Sequence, residues 1–358
     1  MFDRVYNFSA GPSVMPEASL IRARKDLLNY EGSGMSVMEM SHRTPVFAEI
    51  FESTRQKLRK TLSIPDSHEI LFLQGGATLQ FASIPMNLSR GGKADYAITG
   101  NFANKAAREA EKYCTVHVAA TTAPEHDRIP AQEELDLSSD ASYFYYCANN
   151  TIYGTEWHYV PETAAPLVCD MSSDILSQPV DVARYGLIYA GAQKNMAPAG
   201  LTVVIIERSL AGQELPITPQ IMSYAENIKA DSMPNTPPCW CIYMLGLTLD
   251  WLESVGGVTG MQQVKRERAR RVYEMLDNSS FYHAHAQREA RSDMNVTFRT
   301  ASPELDAAFA KEAAARGLVN LKGHRMTGGM RASLYNAMPM EGVDALVTFM
   351  KEFEKEHV

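Results

Sequence analysis

The 358-residue chain is 45% hydrophobic and 21% charged, the balance of a globular protein long enough for two domains, or for one large domain with a smaller one attached. A formal net charge of −8 removes the broad basic surface that nucleic-acid binding needs, while leaving room for a local cationic pocket around a small anion. No apolar run reaches the roughly 18 residues of a membrane span, Met1–Tyr6 lacks a signal-peptide core, and none of the five cysteines forms a CxxC pair. The expectation is a cytoplasmic protein with free thiols and no membrane or nucleic-acid partner. The nine histidines show no HExxH spacing, so no metal site is read.

Residues 7–13, Asn-Phe-Ser-Ala-Gly-Pro-Ser, read as a turn-rich extended entry, and Pro16 opens a helix that runs to about Asn29. Gly32-Ser33-Gly34 begins like a dinucleotide fingerprint, but position 37 is Val and no strand precedes it, which excludes a Rossmann NAD site. Ser41-His42-Arg43-Thr44 leads into a helix over roughly residues 46–62, with Arg43 either a solvated arginine or a carboxylate clamp. Ile70–Leu73 is a strand, Gln74-Gly75-Gly76-Ala77-Thr78 a turn, and Leu79–Leu88 a helix. A strand, a glycine pair and a helix start leave backbone N–H groups aimed at the turn, the pattern of an anion site. Alternation continues through strand Asp95–Thr99, helix Phe102–Tyr113 and strands Val116–Ala119 and Ser142–Cys147, which implies crossovers and a mostly parallel sheet.

Asn149–Gly154 is a polar turn, and Leu167–Asp170 is a strand ending in a carboxylate that either caps a helix over Met171–Leu176 or faces a ligand. Gly186–Tyr189 and Leu201–Ile206 read as buried strands around a stretch in which Lys194 stands among Gly, Ala, Asn and Pro, with no carboxylate beside it. An ammonium between apolar strands is poorly solvated, which favours the neutral amine, a nucleophile that can form a Schiff base. Thr151, Asp170 and Lys194 each stand at or just after a strand end, on the rim where open α/β sheets collect ligands. A Schiff-base lysine and an acid able to hold a pyridinium proton are the two protein parts that pyridoxal phosphate chemistry needs.

Residues 213–238 are loop-rich, and Asn235-Thr236-Pro237-Pro238 precedes a helix over roughly Trp240–Ser254. Gly256-Gly257 breaks the pattern before the amphipathic helix Met261–Asp277, which places a boundary between a large domain, 1–257, and a small one, 258–358. The small domain reads as strand Met294–Arg299, helix Pro303–Arg316, strand Met330–Leu334 and helix Met340–Glu356. Its loop Lys322–Arg331 concentrates His and Arg between glycines.

Six segments taken together resemble the phosphoserine aminotransferases, class V aminotransferases of pyridoxal phosphate fold type I: Asn7–Pro12, Ser41–Arg43, Gln74–Ala77, Tyr189–Gly200, Asn235–Pro238, and Gly323–Arg325 with Gly328–Arg331. The resemblance implies an α/β fold, a large domain whose mostly parallel mixed sheet is sandwiched by helices plus a smaller C-terminal α+β domain, with segment 1–15 reaching into the active site. It implies pyridoxal 5′-phosphate on a Schiff base at Lys194, with Asp170 on the pyridine nitrogen as the second catalytic residue. Ala77, Thr78, Phe102, Thr151 and Gln193 complete the cofactor contacts, joined by Asn235 and Thr236 from a second subunit, which makes a homodimer with shared sites. Ser9, His42, Arg43, His324 and Arg325 become substrate contacts, and Arg331 forks onto the α-carboxylate. Phe102 stands where the family usually stacks a Trp, and Thr78 where some relatives carry Arg. The implied reaction moves an amino group between phosphoserine with 2-oxoglutarate and 3-phosphooxypyruvate with glutamate, with 4-phosphohydroxythreonine as a further substrate. The competing readings are a class V enzyme acting on alanine and glyoxylate, a desulfurase with a reactive cysteine, and a catalytically silent scaffold.

Overall fold

In the computed structural model, which describes residues 4–357, seven strands build the central sheet. The first three residues of the expected segment 1–15 and the last of the expected domain 258–358 lie outside the described residues. The strands are β1 (His68–Leu73), β2 (Lys93–Ile98), β3 (Thr115–Thr121), β4 (Ala141–Cys147), β5 (Leu167–Asp170), β6 (Leu187–Gly191) and β7 (Thr202–Glu207). Their order is β1-β7-β6-β5-β4-β2-β3, and every neighbouring pair is parallel except those of β7, which runs antiparallel to β1 and β6. The sheet is therefore mixed and mostly parallel, with helices on both faces.

The first helices are α1 (Glu17–Asp26), α2 (Pro45–Thr61), α3 (Gly76–Leu88), α4 (Asn101–Ala110) and α5 (Cys239–Ser254). The two-residue period of a strand sends alternate side chains to opposite layers. Phe72, Cys169, Ile188, Ala190 and Val203 pack with Ala23 of α1, Phe47 of α2 and Ile242 of α5. Leu71, Tyr145, Val168, Tyr189 and Val204 pack with Phe81 of α3 and Ala103 of α4. Thr44 caps α2, its side chain accepting from Phe47 N, with Pro45 in the first turn. Gly75 begins α3 at φ 91°, and a Cβ there would lie 2.4 Å from Leu79 Cδ2, so only glycine fits this turn.

The C-terminal region holds α6 (Gly257–Asp277), α7 (Pro303–Ala315), α8 (Met340–His357) and the antiparallel sheet β8 (His283–Ala284), β9 (Asn295–Arg299), β10 (Met330–Ser333). Its core is aromatic: Phe298 meets Phe309 edge-on with centroids 5.8 Å apart, and Phe309 meets Phe349 at 4.9 Å. Met261 of α6 packs with the core of the central sheet, whereas Val272 and Leu276 pack in the aromatic core. Tyr6–Asn7 pairs in parallel with Leu318–Val319, and Phe8 enters the aromatic core.

The helix expected over Met171–Leu176 is absent, and turns stand in its place. Asp170 Oδ1 takes Ser172 N at 2.8 Å, and one helical bond forms, Ile175 N to Met171 O at 2.9 Å, but Leu176 turns to φ 64°, outside the helical region, and the Ile175 and Leu176 carbonyls accept from the Asn195 and Asn336 amides. Residues 213–238 also contain a short helix, Tyr224–Lys229, capped by Ser223.

Lys265 of α6 forms an ion pair with Glu156 at 2.8 Å, each side chain only 1% exposed, and Glu156 Oε2 accepts from Asp293 N at 2.8 Å. Removing one partner of such a pair leaves a buried charge uncompensated. Lys265→Met is expected to destabilise the fold by about 3–5 kcal/mol. A urea-denaturation midpoint equal to that of the parent would show that Glu156 finds other compensation.

Candidate active site

Lys194 stands in the turn between β6 and β7, and its Nζ donates to Thr151 Oγ1 at 3.0 Å. Thr151 is buried in the turn of the small hairpin that pairs Asn149–Asn150 with Thr155–Glu156. The N-terminal segment presses on the same lysine: Ser13 N bonds Gln193 O at 2.9 Å, the Ser13 hydroxyl donates to Lys194 O, and a Cβ on Gly11 would lie 3.5 Å from Lys194 Cγ. Among the described residues no carboxylate lies within ion-pair distance of Lys194. The Phe102 ring, at the start of α4, has its centroid 5.7 Å from Nζ.

Asp170 closes β5 in register with Tyr189 of β6 on one side and Cys147 of β4 on the other. The carboxylate is 5% exposed, with Oδ1 accepting from Ser172 N at 2.8 Å and Oδ2 from the Tyr189 hydroxyl at 2.9 Å. Burial, reinforced by the Asp170 charge, pushes the Tyr189 phenol and the Cys147 thiol well above their ordinary ranges, so both stay protonated.

Arg331 of β10 reaches the same place from the C-terminal region, its Nη1 donating to Thr151 O at 3.4 Å. Thr151 thus binds Lys194 through its side chain and Arg331 through its carbonyl. No carboxylate pairs with Arg331 among the described residues, and burial lowers its pKa. The loop before it closes on itself: Gly323 N bonds Gly329 O at 2.8 Å, and a Cβ on Gly323 would lie 2.0 Å from Gly328 O. His324 accepts Met326 N at Nδ1, 3.3 Å away. Burial, then Arg331, Arg325 and Lys105, lower its pKa. The ring is therefore neutral, with Nε2–H free to donate. Arg325 is exposed.

Ala77 and Thr78 occupy the first turn of α3, which has no side-chain cap, so their N–H groups remain available to an anion. Asn235 Nδ2 bonds Gln74 Oε1 at 3.1 Å, and Gln74 Nε2 bonds Thr236 O at 3.0 Å, which sets this exposed turn against the approach to α3 of its own chain. Ser9 Oγ accepts Gly11 N at 3.4 Å within the N-terminal turn. His42 and Arg43 sit on the turn before α2, and among the described residues neither side chain bonds to the Lys194 group. Two side chains border the site with no motif to mark them: Lys105, whose Nζ lies 5.8 Å from the Phe102 centroid, and Tyr335, whose hydroxyl donates to Ala10 O at 2.8 Å. Asn195, within the Tyr189–Gly200 stretch and marked by its place beside Lys194, ties the site to the C-terminal region, its Oδ1 accepting Asn336 N at 3.1 Å.

The family model described as aminotransferase class-V matches residues 5–346. The chain belongs to the class-V aminotransferase family. A phosphoserine aminotransferase of Laribacter hongkongensis is 51% identical over 99% of this chain and 99% of its own. The solved phosphoserine aminotransferase of Bacillus circulans subsp. alkalophilus superposes with a TM-score of 0.97 at 43% identity, covering 100% of both chains. A pyridoxal phosphate-bound phosphoserine aminotransferase from Trichomonas vaginalis superposes with a TM-score of 0.94 at 40% identity, over 97% of this chain and 100% of that one.

This class-V aminotransferase is a pyridoxal phosphate-dependent transaminase, and the donor set on the rim fits that cofactor. An amine bonded, among the described residues, only to a neutral hydroxyl, a buried carboxylate with acceptor capacity left, an aromatic ring and an uncapped helix start lie in one region of the sheet.

Proposed function

We propose that the enzyme transfers an amino group between O-phospho-L-serine with 2-oxoglutarate and 3-phosphooxypyruvate with L-glutamate, in cytoplasmic serine biosynthesis. It also accepts 4-phosphohydroxy-L-threonine in pyridoxine biosynthesis. The observation that carries the reading is the meeting at Thr151 of an amine and a guanidinium, neither of which has a carboxylate partner among the described residues, next to the His324–Arg325 loop. Relatives of about the same length at around half identity bear the phosphoserine aminotransferase name, which supports the choice of substrate.

Bound pyridoxal 5′-phosphate supplies an electron-accepting ring. Ala77, Thr78 and Gln193 hold its phosphate, Phe102 and Thr151 flank it, and Asp170 keeps a proton at its ring nitrogen. Lys194 Nζ anchors the cofactor and then moves the proton from the substrate Cα, as base and afterwards as acid. Arg331 grips the α-carboxylate through two parallel N–H groups, a geometry lysine cannot copy. His324 Nε2–H and Arg325 meet the distal anion near the Ser9 turn. His42 and Arg43, on the turn before α2, serve the same anion. We assign residues 1–257 to the large domain and 258–358 to the small one, with Tyr6–Phe8 strapping the first to the second. The desulfurase reading fits poorly: burial raises the pKa of all five thiols, whereas that chemistry needs a ready thiolate.

A charged hydrogen bond contributes about 1.5–3 kcal/mol, or about 10–150-fold in affinity. Arg325→Ala is therefore expected to lower kcat/KM for phosphoserine by about that factor and to leave the poor kcat/KM for serine nearly unchanged. Arg331→Ala should lower both alike. An unchanged ratio of the two constants in Arg325→Ala would remove Arg325 as the phosphate reader.

Asn235 and Thr236 complete the phosphate site of the neighbouring subunit in this reading, which makes the active form a homodimer. Hybrids between Lys194→Ala and the Asn235→Ala, Thr236→Ala double variant then contain one site with all lesions and one intact, so activity returns on subunit exchange. Demonstrated hybrids without activity would place both residues in the service of their own subunit.

A further inference from the structure

We propose that Tyr189 is a positioning residue for transamination: its hydroxyl holds Asp170 as an anion aimed at the ring nitrogen, and Tyr145 in turn orients Tyr189. The proposal rests on the reading of Asp170 given above. The sheet creates the arrangement. Tyr189 is the cross-strand partner of Asp170, and Tyr145 lies on the same face of the sheet on β4, the strand on the other side of β5. The Tyr189 hydroxyl donates to Asp170 Oδ2 at 2.9 Å, and the Tyr145 and Tyr189 hydroxyls are 2.8 Å apart. Both tyrosines are essentially without solvent contact.

The direction of the chain follows from valence. An ionised Asp170 only accepts, so the Tyr189 proton must point at it. The Tyr189 oxygen is then left as an acceptor, and Tyr145 must donate to it. Two phenol dipoles therefore line up toward one carboxylate, and each bond polarises the next. Packing alone does not call for these hydroxyls, since Phe fills nearly the same volume, and a buried hydroxyl is costly unless bonded. Tyr96 stacks on Tyr145 with centroids 4.9 Å apart but directs its own hydroxyl to Tyr143, so it stands outside the chain.

The consequence concerns one proton. It is shared between the ring nitrogen and Asp170, and each donor to the carboxylate stabilises the charged arrangement with the proton on nitrogen. Without the Tyr189 hydroxyl one oxygen of Asp170 loses its donor in a place water does not reach, and the proton shifts toward the carboxyl. The ring then withdraws electrons less strongly from Cα.

The test uses the holoenzyme loaded with pyridoxal 5′-phosphate labelled with nitrogen-15 in the ring. Tyr189→Phe is expected to move the ring-nitrogen resonance toward the unprotonated position and to lower kcat by about 10-fold, the lower end for a charged hydrogen bond, with KM for phosphoserine little changed. Tyr145→Phe should move the resonance the same way by less, and it decides the matter if Tyr189→Phe fails to fold. A parental resonance in the folded Tyr variant would overturn the proposal, because a purely structural tyrosine leaves the proton where it was. Asp170→Asn separates the two levels. If it leaves the resonance protonated, the reading of Asp170 itself fails; if it shifts the resonance while Tyr189→Phe does not, only the tyrosine chain fails.

Discussion

Lys194→Ala is expected to abolish transamination, with a loss on the order of 10⁴-fold or more. In the proposed reading two functions end together, the anchoring of the cofactor and the movement of the Cα proton. Thr151, the side chain bonded to Nζ, is a neutral hydroxyl and replaces neither. Borohydride reduction of the loaded parent should fix the cofactor covalently, and the variant should release it on denaturation. The nearby Lys105 makes the experiment informative, since its Nζ lies 5.8 Å from the same Phe102 ring that Lys194 approaches to 5.7 Å. If the variant still fixes the cofactor, another amine is the anchor. Added methylamine should restore part of the proton transfer without restoring attachment.

The second large effect is expected at Asp170. Asp170→Asn keeps the shape and the bond from Ser172 N but, in the proposed reading, places an amide where an anion faces the ring nitrogen. Losses of this electrostatic kind run to about 10²–10⁴-fold in kcat. The steady-state kcat at saturating phosphoserine checks it. A value within threefold of the parent would reduce Asp170 to a turn residue that satisfies the Ser172 amide.

What could be read in advance followed from short-range chemistry. Apolar strand runs alternating with helical stretches pointed to a mostly parallel sheet, and strand ends pointed to Thr151, Asp170 and Lys194 as one rim. Strand direction leaves no mark on periodicity, so the antiparallel course of β7 was not legible. The stretch after Asp170 does close one helical turn, and what ends it leaves no local mark: the φ of 64° at Leu176, and carbonyls at Ile175 and Leu176 held by the Asn195 and Asn336 amides, 20 and 160 residues further along. The approach of Arg331 to Thr151 spans 180 residues and depends on how β10 is set against the hairpin. Tyr189 lay in an apolar run and looked like any core aromatic. Only the strand register puts its hydroxyl against a carboxylate.

The most direct measurement is kcat/KM of the purified, cofactor-loaded enzyme with phosphoserine, serine and alanine, each against 2-oxoglutarate. Two charged hydrogen bonds to the distal phosphate predict a preference for phosphoserine over serine of about 10²-fold or more, with alanine no better than serine. Comparable constants for all three substrates, or a preference for alanine, would contradict the assignment of His324 and Arg325 to a phosphate and with it the choice of phosphoserine.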